Sequence, residues 1–203
     1  FVIQKNPATN GHGPVIFVQE RGGFAIEASL ARTQWATNAN IQQIVLTGRG
    51  CASPFSITYA NSDVWYRCSD GSISSFKREI ATQETWSNRS LSKEVRIYTE
   101  YDAGISLNYS FGLFVDNRIL MSVGTRQESS AEYGYHRYAI GFVSLDMDDG
   151  SSVVSDQNFS WDGLWTGIRP TGTAELIVES QIYGFVSSYD LDGINRIYII
   201  GSG

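Results

Sequence analysis

The chain has 203 residues, a formal net charge of −6 and a sequence pI near 4.9, an acidic balance that excludes a protein gripping nucleic acid by neutralising phosphates with clustered Lys and Arg. Its 42% hydrophobic and 13% aromatic residues and its 20 glycines describe a turn-rich globular protein and exclude a disordered or fibrous one. The length suits one domain with a proper core, residues 1–203 as a single unit, and no apolar run approaches the roughly 20 residues that span a bilayer.

The sequence opens with FVIQKNP, without an initiator Met and in the manner of a strand already under way, so a fragment of a longer chain is expected. Strands are signalled by short runs of Val, Ile, Tyr, Phe and Trp bounded by Gly, Asn, Asp and Ser, whereas helices need apolar residues at three- and four-residue spacing over ten or more positions. In order, the strand runs are PVIFVQ (14–19), GFAIEASL (23–30), IQQIVLTG (41–48), FSITYA (55–60), DVWYRC (63–68), ISSFKRE (73–79) and EVRIYTEY (94–101). They continue with FGLFV (111–115), RILMSVG (118–124), YAIGFVSLD (138–146), ELIVE (175–179), IYGFVSSYD (182–190) and NRIYIIG (195–201). No segment meets the helix criterion. Gly71 in SDGS and Gly193 in DLDG supply turn chemistry for hairpins of the runs on either side.

Four segments share one form, an apolar arm, a short polar turn and a second apolar arm: VIFV-QERGG-FAIE (15–27), SITYA-NSD-VWYRC (56–68), GLFV-DNR-ILMSV (112–123) and LIVE-SQ-IYGFV (176–186). A unit of three or four antiparallel strands recurring every 40–60 residues or so is the pattern of a β-propeller, whose blades bury their faces against their neighbours. The expected fold is therefore an all-β propeller with about four legible blades, part of a larger ring completed by residues outside this segment. A β-sandwich or other Greek-key sheet is the alternative.

Chemistry-bearing motifs are sparse. His12 and His136 sit in Gly- or Tyr-rich, loop-like stretches, with no GxSxG elbow to supply a nucleophile. DMDDGS (146–151) and DLDGIN (190–195) faintly resemble calcium loops but lack the distal bidentate Glu, and ordinary turns account for them. CSDGSISSF (68–76) resembles the Asp-box of sialidase propellers, one residue short from Asp to Gly and with Phe76 in place of Trp, and a hairpin turn suffices. Cys51 and Cys68 read as two buried thiols, with a bridge between neighbouring strands as the alternative. Trp161, Trp165 and Trp86 are candidates for contact with glycans or a partner, against core packing as the ordinary use of tryptophan. No pair of carboxylates is framed as a glycosidase would need. No catalysis, cofactor or metal is expected.

The stretches GHGPVIFVQERGGFAIEASLARTQW (11–35), GRGCASPFSITYANSDVWYRCSDG (48–71), LSKEVRIYTEYD (91–102), FVDNRILMSVG (114–124), HRYAIGFVSLD (136–146) and WDGLWTG (161–167) resemble, in this order, the propeller-like tail nozzle or hub proteins of short-tailed bacteriophages. FVDNRILM and DGLWTG carry the most specific part of the likeness. The resemblance implies a structural virion protein, a subunit of a sixfold ring in the tail that encloses the genome-ejection channel and meets the adaptor and portal proteins. Such a protein would be made in the host cytoplasm, and DNA would pass it without specific binding. One departure is the final NRIYIIG, where the family pattern has an acidic or aromatic strand such as ELWEL. The acidic charge suits a channel wall that does not hold DNA. The alternatives of another class are a carbohydrate-binding propeller and a glycan-cleaving one.

Overall fold

A computed structural model describes residues 2–6, 11–21, 23–26, 33, 35–38, 41–44, 49–79, 91–99, 107–124, 140–147, 160–166 and 182–201. Among them the protein is all-β with little helix, arranged in small antiparallel sheets in which each strand pairs with the next along the chain. The first sheet holds β1 (Val2–Asn6), β2 (Gly11–Val18), β3 (Gly23–Ile26) and β4 (Ile41–Ile44). The second holds β5 (Thr58–Ala60), β6 (Asp63–Arg67) and β7 (Ile73–Ser75). The third holds β8 (Gly112–Val115), β9 (Arg118–Gly124), β10 (Ile140–Asp146) and β11 (Trp161–Thr166). The fourth is the hairpin of β12 (Ile182–Tyr189) and β13 (Asn195–Gly201).

Every residue of β6 is buried, because the second sheet is covered on both faces. Strand alternation sends Val64, Tyr66 and Cys68 toward Ile16 and Val18 of β2. It sends Trp65, with Ala60 and Ile73 beside it, toward Ile119, Met121, Val123, Val143 and Leu145 of the third sheet. The third sheet turns Phe142 the other way, edge-on to Phe185 of β12 with ring centroids 5.7 Å apart. Thus each sheet meets the next in chain order, and β8 runs beside both β5 and β12.

Two of the four polar knots are turns of one kind. Asn61 and Ser62 join β5 to β6, and Asp116 and Asn117 join β8 to β9, all four at positive φ between 47° and 59°. Two-residue loops of this left-handed geometry match the right-handed twist of the strands they connect. The Gly71 and Gly193 turns close the β6–β7 and β12–β13 hairpins as expected, and β2 and β3 pair as neighbours. The first arm of the fourth segment, ELIVE, lies outside the described residues.

Three runs differ from the strand expectation. EVRIYTEY contains a helical turn, Arg96–Thr99, because Leu91, Val95 and Thr99 fall at four-residue spacing and are buried together while Lys93, Glu94 and Arg96 face solvent. ISSFKRE leaves β7 after Ser75 and turns helical at residues 76–79, where the Ser75 hydroxyl accepts from Arg78 N at 3.2 Å and Asp63 Oδ1 accepts from Lys77 N at 3.1 Å. FSITYA begins in a 3-10 turn, Pro54–Ser56, capped by Ser53, whose hydroxyl accepts from Phe55 N at 3.3 Å.

Small hydroxyls tie the sheets together where bulky groups would not fit. Ser53 Oγ donates to the carbonyl of Ser110 at 2.8 Å, linking the segments that lead into β5 and β8. Ser56 Oγ accepts from Arg67 N at 3.1 Å, and Ser92 Oγ accepts from Ile73 N at 3.0 Å. At the same junction a Cβ on Gly112 would stand 2.4 Å from the Ser56 carbonyl oxygen, a backbone atom with no room to yield. Gly112→Ala is therefore expected to lower stability by about 1–3 kcal/mol in urea unfolding.

Candidate interaction surface

The sequence places two tryptophans four positions apart in WDGLWTG, a segment that is not among the strand runs. The structure makes it β11 with a bulge: the register on β10 shifts between Val143 and Leu145, and Gly163 sits at φ +80°. A bulge adds one residue and reverses the alternation. Trp161 consequently points inward, packing on the main core with Nε1 donating to the Leu91 carbonyl at 2.9 Å. Trp165 points outward on the opposite face, 52% exposed, stacked on Phe142 at 6.2 Å with the rings 7° from parallel. The two candidates do not form one site, and Trp86 lies outside the described residues.

Phe142 lies between Trp165 and Phe185, so the row Trp165–Phe142–Phe185 leads from the third sheet onto the fourth. Farther along the same face, Arg118 ties three strands together, reaching Asp146 on β10 at 3.0 Å and Asp162 on β11. Asn195 Nδ2 donates to Asp116 Oδ1 at 3.1 Å and fixes the tip of the fourth sheet against the β8–β9 turn.

The hairpin itself is apolar and open to solvent. On one face Val186 is paired with Tyr198, and Ile200 follows two residues on; all three are about half exposed, at 47%, 50% and 51%. Ile197 and Ile199 lie on the other face and are also exposed, and Leu191 and Ile194 project from the tip. An isolated two-stranded hairpin is marginal in water, and apolar side chains gathered on one exposed hairpin are the chemistry of a candidate interaction surface. The turn is locally self-sufficient. Asp190 Oδ1 accepts from Asp192 N at 3.0 Å and Ile194 N at 2.9 Å, and Oδ2 accepts from Arg196 Nε at 2.6 Å, an ion pair that lowers the carboxyl pKa. DLDGIN thus spends its first carboxylate on its own turn. CSDGSISSF does likewise: Asp70 Oδ1 accepts from Ser72 N at 2.9 Å within the β6–β7 hairpin.

No family model, curated protein or solved structure matches this chain.

His12 stands on β2 opposite Lys5 and not in a loop, since pairing with β1 extends that strand back to Gly11; His136 lies outside the described residues. Among the described residues no group of three His, Cys, Asp or Glu side chains is placed to hold a metal, and no helix is long and apolar enough to cross a membrane. The carboxyls with raised pKa belong to the interior. Burial raises Asp63, whose Oδ1 accepts from Val64 N at 2.8 Å. Burial also raises Glu79, which accepts from the Ser74 hydroxyl.

A native carboxyl titrating above its unfolded counterpart holds its proton while the unfolded chain has lost it, so stability falls as pH rises through that window. Unfolding free energy is therefore expected to decline from the ordinary carboxylate range upward in urea titrations at stepped pH. Glu79→Gln, which keeps the acceptor for Ser74, should flatten part of that slope.

Proposed function

We propose that this chain is a structural subunit of the tail nozzle or hub of a short-tailed bacteriophage, with its sheets as blades of a propeller that assembles into a ring around the genome-ejection channel. The observation that carries this assignment is the open apolar hairpin β12–β13, a surface suited to association, at the end of a row of sheets that otherwise cover one another in chain order. The likeness of FVDNRILM and DGLWTG to that family gives the association a context. Within it the partners are further copies in a sixfold ring and the adaptor and portal proteins. DNA passes a wall whose net charge of −6 disfavours adhesion. No catalytic step is assigned.

The test is assembly. Sedimentation and electron microscopy of the purified protein should show ring-sized particles, alone or on an adaptor ring. Replacing Tyr198 and Ile200 together by Glu should leave monomers that unfold within about 0.5 kcal/mol of the parent, as exposed positions permit. A parent that stays monomeric at high concentration and ignores the adaptor ring overturns the assignment.

A second use of the same region is favoured by one observation. Trp165 is half exposed and backed by Phe142, a preformed flat surface of the kind on which a sugar ring stacks. If the protein reads host-surface glycans, a glycan array should give hits that Trp165→Ala abolishes. An array without hits, or a Trp165→Ala protein that binds as its parent does, removes glycan recognition.

A further inference from the structure

The two cysteines, seventeen positions apart in sequence, face each other directly. Cys51 and Cys68 form an isolated antiparallel bridge. The backbone bonds around it run from Ala52 N to the Arg67 carbonyl and from Ser69 N to the Gly50 carbonyl, both 2.9 Å. That pattern places the cysteines as a non-hydrogen-bonded pair, in which the Cα atoms approach to about 4.5 Å and the side chains share one side of the ladder. A disulfide accepts Cα separations of about 4.4–6.8 Å. The packing agrees independently, since Cys68 belongs to the cluster with Ile16, Val64, Tyr66 and Phe76, and Cys51 packs on that same cluster. Both are free thiols here. Cys51 Sγ donates to the Ser53 carbonyl at 3.0 Å, a contact that is given up when the sulfur bonds to that of Cys68.

We propose that Cys51 and Cys68 are a disulfide-forming pair that staples the segment leading into the second sheet to the end of β6, beside the junction with the first sheet. Cys51 N donates to the Gln19 carbonyl at 2.9 Å and Ser69 Oγ donates to the Glu20 carbonyl at 3.3 Å, so the bridge sits where the β2–β3 loop meets the second sheet. A cross-link there closes the 51–68 loop, which contains the Pro54–Ser56 turn, β5 and β6. The oxidant is a small-molecule disulfide such as glutathione disulfide. Cys51 is the more accessible thiol; Cys68 is wholly buried. The Cys51 thiolate attacks one glutathione sulfur, forming a mixed disulfide and releasing one glutathione thiolate. The Cys68 thiolate then attacks Cys51 Sγ, forming the protein disulfide and releasing the second. Two electrons pass to the glutathione disulfide, and the two cysteine protons end on the two glutathione thiols. Burial raises the pKa of both thiols, so the exchange is slow near neutral pH.

The experiment incubates the native protein with glutathione disulfide at mildly alkaline pH, quenches it with acid, and reads intact mass, a non-reducing digest and the melting temperature. The expected result is loss of two hydrogens, one cross-linked peptide pair containing residues 51 and 68 at both low and high protein concentration, and a melting temperature higher by about 5–10 °C. Cys68→Ser should stop at a persistent glutathione adduct on Cys51. A wild-type protein that stays reduced, keeps the mixed adduct unresolved or forms covalent dimers overturns the pairing. An unchanged or lowered melting temperature overturns the stapling.

Discussion

The structure depends on the second sheet being covered on both faces. Trp65 and Tyr66 are adjacent in sequence, both are completely buried, and each belongs to a different core. A strand can achieve this only if its alternation delivers one side chain to each neighbouring sheet, so β6 works as a shared wall. Truncating a buried aromatic of this size typically costs about 3–5 kcal/mol, which makes the Trp65 contact with the third sheet a large share of a domain's whole stability. Because β6 serves two interfaces, the first three sheets stand or fall together.

Burying a sheet on both sides forces its polar groups to find partners inside. Arg67 is completely buried on the Trp65 face, and its guanidinium reaches the carbonyl of Thr99 at 3.3 Å. Thr99 ends the helical turn Arg96–Thr99, where carbonyls lack partners within the turn and can accept from a cation. Asp63 plays the complementary part by collecting the amides of Val64 and Lys77. The serines at positions 53, 56 and 92 do the same with less bulk, so the sheets approach closely enough to require Gly112. At these positions close packing and hydrogen bonding are served by the same small hydroxyls.

Much of this was legible in the sequence where one periodicity ruled. DVWYRC, RILMSVG, the Asn61-Ser62 and Asp116-Asn117 knots and the Gly71 and Gly193 turns all became the strands and hairpins their letters suggest. The misreadings came where two signals competed. In LSKEVRIYTEY, alternate positions favour a strand and every fourth position favours a helix, and the burial of Leu91, Val95 and Thr99 decides for the latter. In WDGLWTG Asp162-Gly163 is a bulge inside a strand, and that one extra residue separates Trp161 from Trp165. Both tryptophans were candidates for the same kind of contact, but the bulge sends them to opposite faces. The closed ring expected from the repeat needs more than local letters, because it is set by how many sheets follow one another and at what angle.

The same logic of covering explains why the fourth sheet is the place to look for function. Its β12 is held by Phe142 and lies beside β8, yet Val186, Tyr198 and Ile200 on its pleat keep about half their surface in water. A run such as IYIIG has no polar alternation, so it is written for a strand with apolar neighbours on both faces, as β6 is. In β6 those neighbours come from this chain; in β13 the described residues supply them only in part. Side chains suited to burial have been placed on an exposed hairpin, and the free energy left unrealised there is available to an association that covers it. The repeat that makes each sheet rely on the next therefore leaves the incompletely covered one with apolar surface that the described residues do not cover.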